Sequence, residues 1–171
     1  MNRVLFLTGT CGSGKSTVAG ILALGGWKRV SEDELWHERF GKNRGAFGTD
    51  EHRRKRREIQ AEVLDRIVSG LSSGASVVVD ATIHESPPEA YLEYRSLLDG
   101  LGIPWTLRVL HPRLDIAIAR DAHRDDWRAG AARVSELRAK FTEAVFPSAW
   151  FLDTSGESPA ETANRVLESG V

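Results

Sequence analysis

Residues 4–20 read Val-Leu-Phe-Leu-Thr-Gly-Thr-Cys-Gly-Ser-Gly-Lys-Ser-Thr-Val-Ala-Gly. The apolar run Val4 to Leu7 breaks into Gly9-Thr10-Cys11-Gly12-Ser13-Gly14-Lys15-Ser16-Thr17, which fits the pattern G-x-x-x-x-G-K-[ST], and an amphipathic segment follows at once. That order predicts a strand, an anion-binding nest and a helix start. Glycines at 9, 12 and 14 let the backbone take positive φ and bring N–H groups close to phosphate oxygens. A helix beginning near Lys15 adds unpaired N–H groups and the positive end of its dipole. Lys15 is expected to reach the β- and γ-phosphates of a nucleotide and the Ser16 hydroxyl to sit on Mg²⁺, with Thr17 in the first helical turn.

On the C-terminal side of the loop, Val18, Ile21, Leu22 and Leu24 form an apolar helix face that Gly25-Gly26 should end. Trp27 to Val30 is a second strand candidate, and it delivers the chain to Ser31-Glu32-Asp33-Glu34-Leu35-Trp36-His37. In open parallel sheets this edge, past the strand ends, binds ligands. Residues 41–50 carry three glycines and no period, so they read as a loop. Thr49 or Asp50 should cap a helix from Glu51 to about Leu71, with Ile59, Val63, Leu64, Ile67, Val68 and Leu71 as its apolar stripe. Its first turns hold His52-Arg53-Arg54-Lys55-Arg56-Arg57, a solvated helix face or, in the alternative, an anion site.

Ser76-Val-Val-Val-Asp80 is an unbroken β-branched run of the kind that forms a central strand buried on both faces. Asp80 at its carboxyl end is placed for a second Mg²⁺ contact, or else is an ordinary turn residue. Thr82, His84 and Glu85 follow on the same edge and are candidates to line a substrate. Pro87-Pro88 should start a helix with Ala90, Tyr91, Tyr94, Leu97, Leu98 and Leu101 facing inward. Trp105 to Leu110 is a fourth strand, and Pro112 opens a helix running to Arg120. Residues 120–133 mix arginines with acids around Gly130, as a hinged lid bringing Arg120 and Arg124 onto phosphoryl oxygens or as a charged surface helix. Trp127 lies within this stretch. Val134 to Phe146 reads as a helix, Ala149 to Asp153 as a fifth strand, Thr154 to Gly156 as a turn, and the end of the chain as a last helix containing Pro159, Ala163, Val166 and Leu167.

Five apolar strand candidates alternating with helices specify an α/β domain with a parallel sheet. At 171 residues the chain is expected to form one domain, 1–171, with a substrate-side insertion at about 34–58. A net charge of −1 supplies no global basic field, so nucleic acid is a possible but not a favoured partner. The single cysteine, Cys11, excludes an intramolecular disulfide and suits a reducing compartment. The nest around it could lower its pKa, or it is simply a small residue that fits there. No apolar stretch reaches the roughly 18 residues needed to span a bilayer, and the N-terminal run ends in glycines rather than a cleavage site. A cytoplasmic protein without membrane partners is the expectation, its oligomeric state open.

Across its whole length the chain resembles the small P-loop kinases of the nucleoside-monophosphate-kinase-like group, in particular those related to gluconate kinase, chloramphenicol phosphotransferase and the 5′-kinase domain of polynucleotide kinase. The residues that carry the likeness are Gly9 to Thr17, Asp33 after the second strand, Val77-Val-Val-Asp80-Ala-Thr82, Arg120 with Arg124, and Leu152-Asp-Thr-Ser-Gly156. The resemblance implies a three-layer P-loop fold, a five-stranded parallel sheet with helices on both faces, that binds ATP and Mg²⁺ and transfers the γ-phosphoryl group to a hydroxyl of a small-molecule acceptor. It assigns Lys15, Asp33, Arg120 and Arg124 to catalysis, with Asp33 as base or orienter of the acceptor. Gly9 to Thr17, Arg120, Thr154 and Gly156 would hold the nucleotide, and Ser16 and Asp80 the metal. Asp33, His37, Arg53, Thr82 and His84 would face the acceptor. Trp36 stands where polynucleotide kinases usually carry an arginine, and His37 lies one position beyond the histidine of gluconate kinases. A 5′-hydroxyl nucleic-acid kinase is the alternative, motivated by Arg53 to Arg57. A non-catalytic nucleotide-binding switch or partner-binding module is another, although no guanine-reading Asn-Lys-x-Asp motif is present.

Overall fold

The computed structural model describes residues 2–46, 48–84, 89–125, 128–143 and 146–168. Strand β1 (Val4–Thr8) runs into the glycine loop and helix α1 (Lys15–Leu24). Then come β2 (Lys28–Ser31), α2 (Glu32–Phe40), α3 (Asp50–Ser72), β3 (Val77–Asp80), α4 (Glu89–Gly100) and β4 (Trp105–Leu110). The chain closes with α5 (Leu114–Ala122), α6 (Ala131–Glu143), a 3₁₀ turn (Ser148–Trp150), β5 (Phe151–Leu152) and α7 (Pro159–Glu168).

The strands form one sheet in the order β2-β3-β1-β4-β5, and every pairing is parallel. β1 lies in the middle with all five of its residues buried. Side chains alternate across a strand, so Val4 and Phe6 point to one face and Leu5 and Leu7 to the other. The first face packs with Val77, Val79, Leu107 and Val109 against α3 (Ile59, Val63, Ile67), α4 (Tyr94, Leu98) and Phe141 of α6. The second packs with Val78 and Leu110 against α1 (Val18, Ala19, Leu22) and α7 (Ala163, Val166). Helices therefore cover both faces, as a parallel sheet of continuous apolar strands requires. The fold class is the one expected, and the parallel pairing carries all five C-terminal ends to one edge.

Several boundaries differ. Residues 32–40, read only as a polar cluster, are a helix. Ser31 Oγ accepts the Glu34 N–H at 3.4 Å, and Glu32, Asp33 and Glu34 stand in the first turn, where the helix dipole favours anions. Thr49 does cap α3, accepting the His52 N–H at 3.2 Å. The fifth strand is two residues rather than five, because Ser148–Trp150 take a 3₁₀ turn after Pro147. α6 starts at Ala131, next to Gly130 at φ +83°, and ends before Phe146. Phe146 instead packs on Tyr91 and Trp150, with ring centroids 5.3 and 5.7 Å away. Leu24, Val68, Leu97 and Leu101, expected on apolar faces, are exposed. The expected helix start at Pro87-Pro88 lies outside the described residues.

Candidate functional site

The loop between β1 and α1 is shaped by packing as well as by conformation. Gly9, Gly12 and Gly14 take φ of +146°, +75° and +93°. A Cβ at Gly12 would collide with the Ala117 carbonyl of α5, and one at Gly9 with the Leu110 carbonyl at the end of β4. The loop is thus pressed between two elements that only glycine lets it approach. Thr10 Oγ donates to the Val134 carbonyl of α6 at 3.1 Å, and the Ser13 N–H bonds back to Thr10 O at 3.2 Å. Cys11 fills a small core with Ala117, Val134 and Leu137. Burial pushes its thiol up, outweighing the pull of Lys15, so the expected option of a lowered pKa is overturned.

From this loop opens a cleft of about 550 Å³, lined by Gly12 to Val18, Arg120, Arg124, Glu157 and Thr162 among others. Lys15 is 7% exposed at its base. Opposite, Arg120 in the last turn of α5 donates to the Thr154 carbonyl at 2.9 Å. Thr154 is itself buried, so it serves the cleft by holding Arg120 through its backbone. Asp153 accepts the Ser155 N–H at 2.9 Å and Ser155 Oγ accepts the Arg113 N–H at 2.8 Å, which fixes the 153–156 turn, including Gly156, against the start of α5.

Beside Arg120 on α5 stands a buried carboxylate that sequence reading passed over. Asp121, 2% exposed, accepts the N–H groups of Ala129 and Gly130 at 3.2 and 2.9 Å. It ties the returning end of the 123–130 segment to α5, the helix that ends just before Arg124. Trp127 lies outside the described residues.

The neighbouring sheet edge, outside the lining of this cleft, carries Asp33, Asp80, Thr82 and His84. Asp33 is mostly exposed, pairs with Arg44 at 3.0 Å, and lies close enough to the loop to act on the Cys11 thiol. Arg44 also sits over the buried Trp36 ring, 5.6 Å from its centroid, and His52 stacks on the same ring. Glu32, beside Asp33, accepts the Tyr94 hydroxyl at 3.2 Å. Burial, with Asp33 adding to it, pushes the Glu32 carboxyl up to about 7. The segment after β3 is held by Thr8, whose hydroxyl donates to the Ile83 carbonyl at 2.8 Å and accepts the Ile83 N–H at 2.7 Å. That clamp sets Thr82 and His84 at this edge, His84 edge-on to Phe141. Glu85 lies outside the described residues.

His37 is an exposed residue one turn further along α2. Arg53 lies at the start of α3, donating to the Gly48 carbonyl at 2.6 Å and to Asp50 at 2.7 Å. The structure brings neither into the cleft. The basic run is only in part a solvated face. Lys55 and Arg56 are 5% and 8% exposed, Lys55 bonding Asn43 O at 2.9 Å and Glu51 at 2.6 Å, and Arg56 meeting Glu93 of α4 at 3.2 Å. They anchor the 41–50 loop and α4 to α3.

The donor set fits Mg²⁺. The Ser16 hydroxyl is exposed on the cleft, and Asp80 ends β3 beside the C-terminal end of β1. These are hard oxygen donors. Among the described residues no group of three His, Cys, Asp or Glu forms a cage, and Mg²⁺ ordinarily uses one or two protein oxygens and keeps its waters. Asp80 is 4% exposed and already takes Arg29 at 3.3 Å, which also reaches Glu34 at 2.9 Å.

No curated protein matches the chain. Among solved structures, it superposes on the tunicamycin resistance protein of Deinococcus radiodurans with a TM-score of 0.72 at 16% identity, covering 100% of this chain and 97% of that one. A gluconokinase from Sinorhizobium meliloti 1021 gives 0.65 at 20% identity, covering 98% and 90%. The APS kinase of Mycobacterium tuberculosis, in complex with AMPPNP and APS, gives 0.64 at 20%, covering 98% and 96%. At such identities the likeness is one of fold, and it extends over the full sheet. The family model described as AAA domain matches residues 4–144, a span holding the glycine loop, Asp33, Asp80, Arg120 and Arg124. With its phosphate loop between β1 and α1, the chain belongs to this AAA domain family of P-loop proteins.

Proposed function

We propose that the protein is an ATP-dependent kinase that transfers the γ-phosphoryl group to a hydroxyl of a small-molecule acceptor. The observation that carries this reading is the cleft itself, in which a glycine nest and Lys15 stand with Arg120 and Arg124, while the carboxylates of Asp33 and Asp80 lie on the neighbouring sheet edge outside its lining. A nucleotide switch has no need of those carboxylates. The backbone N–H groups of residues 12–16 and Lys15 hold the phosphates, and Arg120 and Arg124 face the transferring group. Ser16 and Asp80 would hold Mg²⁺, which supplies charge neutralisation when bound. Asp33 orients the acceptor hydroxyl, with Thr82 and His84 along the same edge. Positioning and charge stabilisation, rather than covalent chemistry, supply the rate. The kinase names of the gluconokinase and APS kinase neighbours support the reading.

A nucleic-acid acceptor is less well supported, because Lys55 and Arg56 of the basic run are turned into the fold and Arg53 spans its own helix start. Among the described residues no helix is long and apolar enough to cross a membrane. A cytoplasmic setting is part of the proposal, supported by a lone thiol in the loop.

Lys15→Ala tests the core of the reading. It removes a charge aimed at the phosphates and is expected to lower transfer by ~10³ or more while leaving the melting temperature within a few degrees. Turnover near that of the wild type would show that the cleft is not where ATP reacts.

A further inference from the structure

The cleft is lined by two chemically distinct sets of residues. The glycine loop with Lys15 suits phosphates, whereas Arg120 of α5 and Glu157, Pro159 and Thr162, in and just before the first turn of α7, do not belong to that nest. A triphosphate seated in the loop leaves the second set to the rest of the nucleotide.

Within that second set two side chains are fixed before any ligand arrives. Arg120 Nη2 donates to the carbonyls of Thr154 at 2.9 Å and Glu157 at 3.5 Å. Main-chain acceptors thus hold a flat guanidinium in the wall, a surface on which an aromatic base stacks. The Glu157 carboxylate is held on both oxygens, Oε1 by Arg165 Nη1 at 2.7 Å and Oε2 by the Thr162 hydroxyl at 2.9 Å. Arg165 is braced in turn on the Asp153 carbonyl at 2.6 Å, and Thr162 is buried. Each carboxylate oxygen has two lone pairs, so each keeps an acceptor site beyond these bonds. The Glu157 side chain is 22% exposed and lines the cleft, beside the platform that its own carbonyl helps to fix. Asp125, the other carboxylate among the described lining residues, is exposed.

We propose that Glu157 selects the nucleotide base: its carboxylate accepts an N–H of the exocyclic amino group of adenine while the ring lies on Arg120. This rests on the reading of the cleft as the ATP site. An acceptor-only group held rigidly at that edge favours a base that brings a donor to it. A base with no donor there forfeits a charge-assisted hydrogen bond, and one with a carbonyl meets repulsion. Glu157 is thereby a specificity-determining residue for the phosphoryl donor.

The test is equilibrium binding to the full chain, with Mg²⁺ present, of ATP, of purine riboside 5′-triphosphate, which lacks only the amino group, and of 2′-deoxy-ATP and 3′-deoxy-ATP. Wild type is compared with Glu157→Met, which has no acceptor, and Glu157→Gln, which keeps one carbonyl. Wild type is expected to bind ATP about tenfold or more tighter than purine riboside triphosphate, and to bind the deoxynucleotides as it binds ATP. Glu157→Met should lower ATP affinity to that of the purine riboside compound while leaving the latter nearly unchanged, and Glu157→Gln should retain an intermediate gap. A side chain that only fastened the start of α7 would, on substitution, weaken all the triphosphates alike and preserve the gap, which overturns the proposal. A deoxynucleotide deficit that vanishes in Glu157→Met overturns it too, since the carboxylate then reads the ribose. Should Glu157→Met not fold, Glu157→Gln decides, and a gap equal to that of wild type counts against Glu157. Tight ATP binding with no preference for the amino group strikes Glu157 alone, whereas a protein that binds none of the triphosphates removes the ATP site and this proposal with it.

Discussion

Gly12 shows how narrow the tolerances are at single residues. Its φ of +75° is unfavourable for any side chain, and the space a Cβ would need is taken by the Ala117 carbonyl. Gly12→Ala is therefore expected to cost roughly 2 kcal/mol or more, measured by urea unfolding, and to weaken nucleotide binding in parallel. Glu32 makes a pH-dependent claim at the same scale. Its carboxyl titrates near 7 in the fold against 4.5 ordinarily, so the folded state holds the proton more tightly. That contribution to stability is fully present below about pH 4.5 and is lost as pH rises through about 7. Glu32→Gln should match the wild-type melting temperature at acid pH and exceed it at pH 8, by an amount equivalent to about 2 kcal/mol. Equal melting curves at pH 8 would place Glu32 in ordinary solvent. For the metal contact, Asp80→Asn should raise the Mg²⁺ concentration for half-maximal transfer, and an unchanged requirement would leave Asp80 only the task of holding Arg29.

At the scale of elements, what the sequence conveys divides along physical lines. The phosphate loop, the strand cores and the Thr49 cap were legible because each is a local code of glycine spacing, apolar runs or a capping hydroxyl. The long-range ties were not. Thr8 clamps a segment 75 positions away, and Arg29 reaches an aspartate 51 positions on. The inward turn of Lys55 and Arg56 is set by partners in the 41–50 loop and α4, so the local charge run looked solvated. Helix α2 escaped notice because its acids, which signal a helix start, resemble a polar loop when read without the Ser31 cap. Asp121 belongs with these. Asp121→Ala should leave two amides without acceptors, lower stability by about 1–3 kcal/mol, and speed hydrogen exchange at Ala129 and Gly130 ahead of the sheet. Uniform exchange across the chain would show that Asp121 does not anchor this turn.

On the scale of the whole molecule, the sheet order places β1 between β3 and β4, so the phosphate loop emerges at the middle of one edge. The carboxylates of α2 and β3 stand on one side of it, and α5 with Arg120, followed by Arg124, on the other. On the proposed reading, ATP and an acceptor would be neighbours rather than rivals for one pocket. The account's central claim is that the γ-phosphoryl group leaves ATP for a hydroxyl, and following radiolabelled γ-phosphate from ATP into a panel of sugars, sugar acids, nucleosides and 5′-hydroxyl oligonucleotides tests it most directly. The label is expected on a small-molecule acceptor with the wild-type protein and on none with Lys15→Ala. Tight ATP binding with label in no acceptor, or label only on the oligonucleotides, would contradict it.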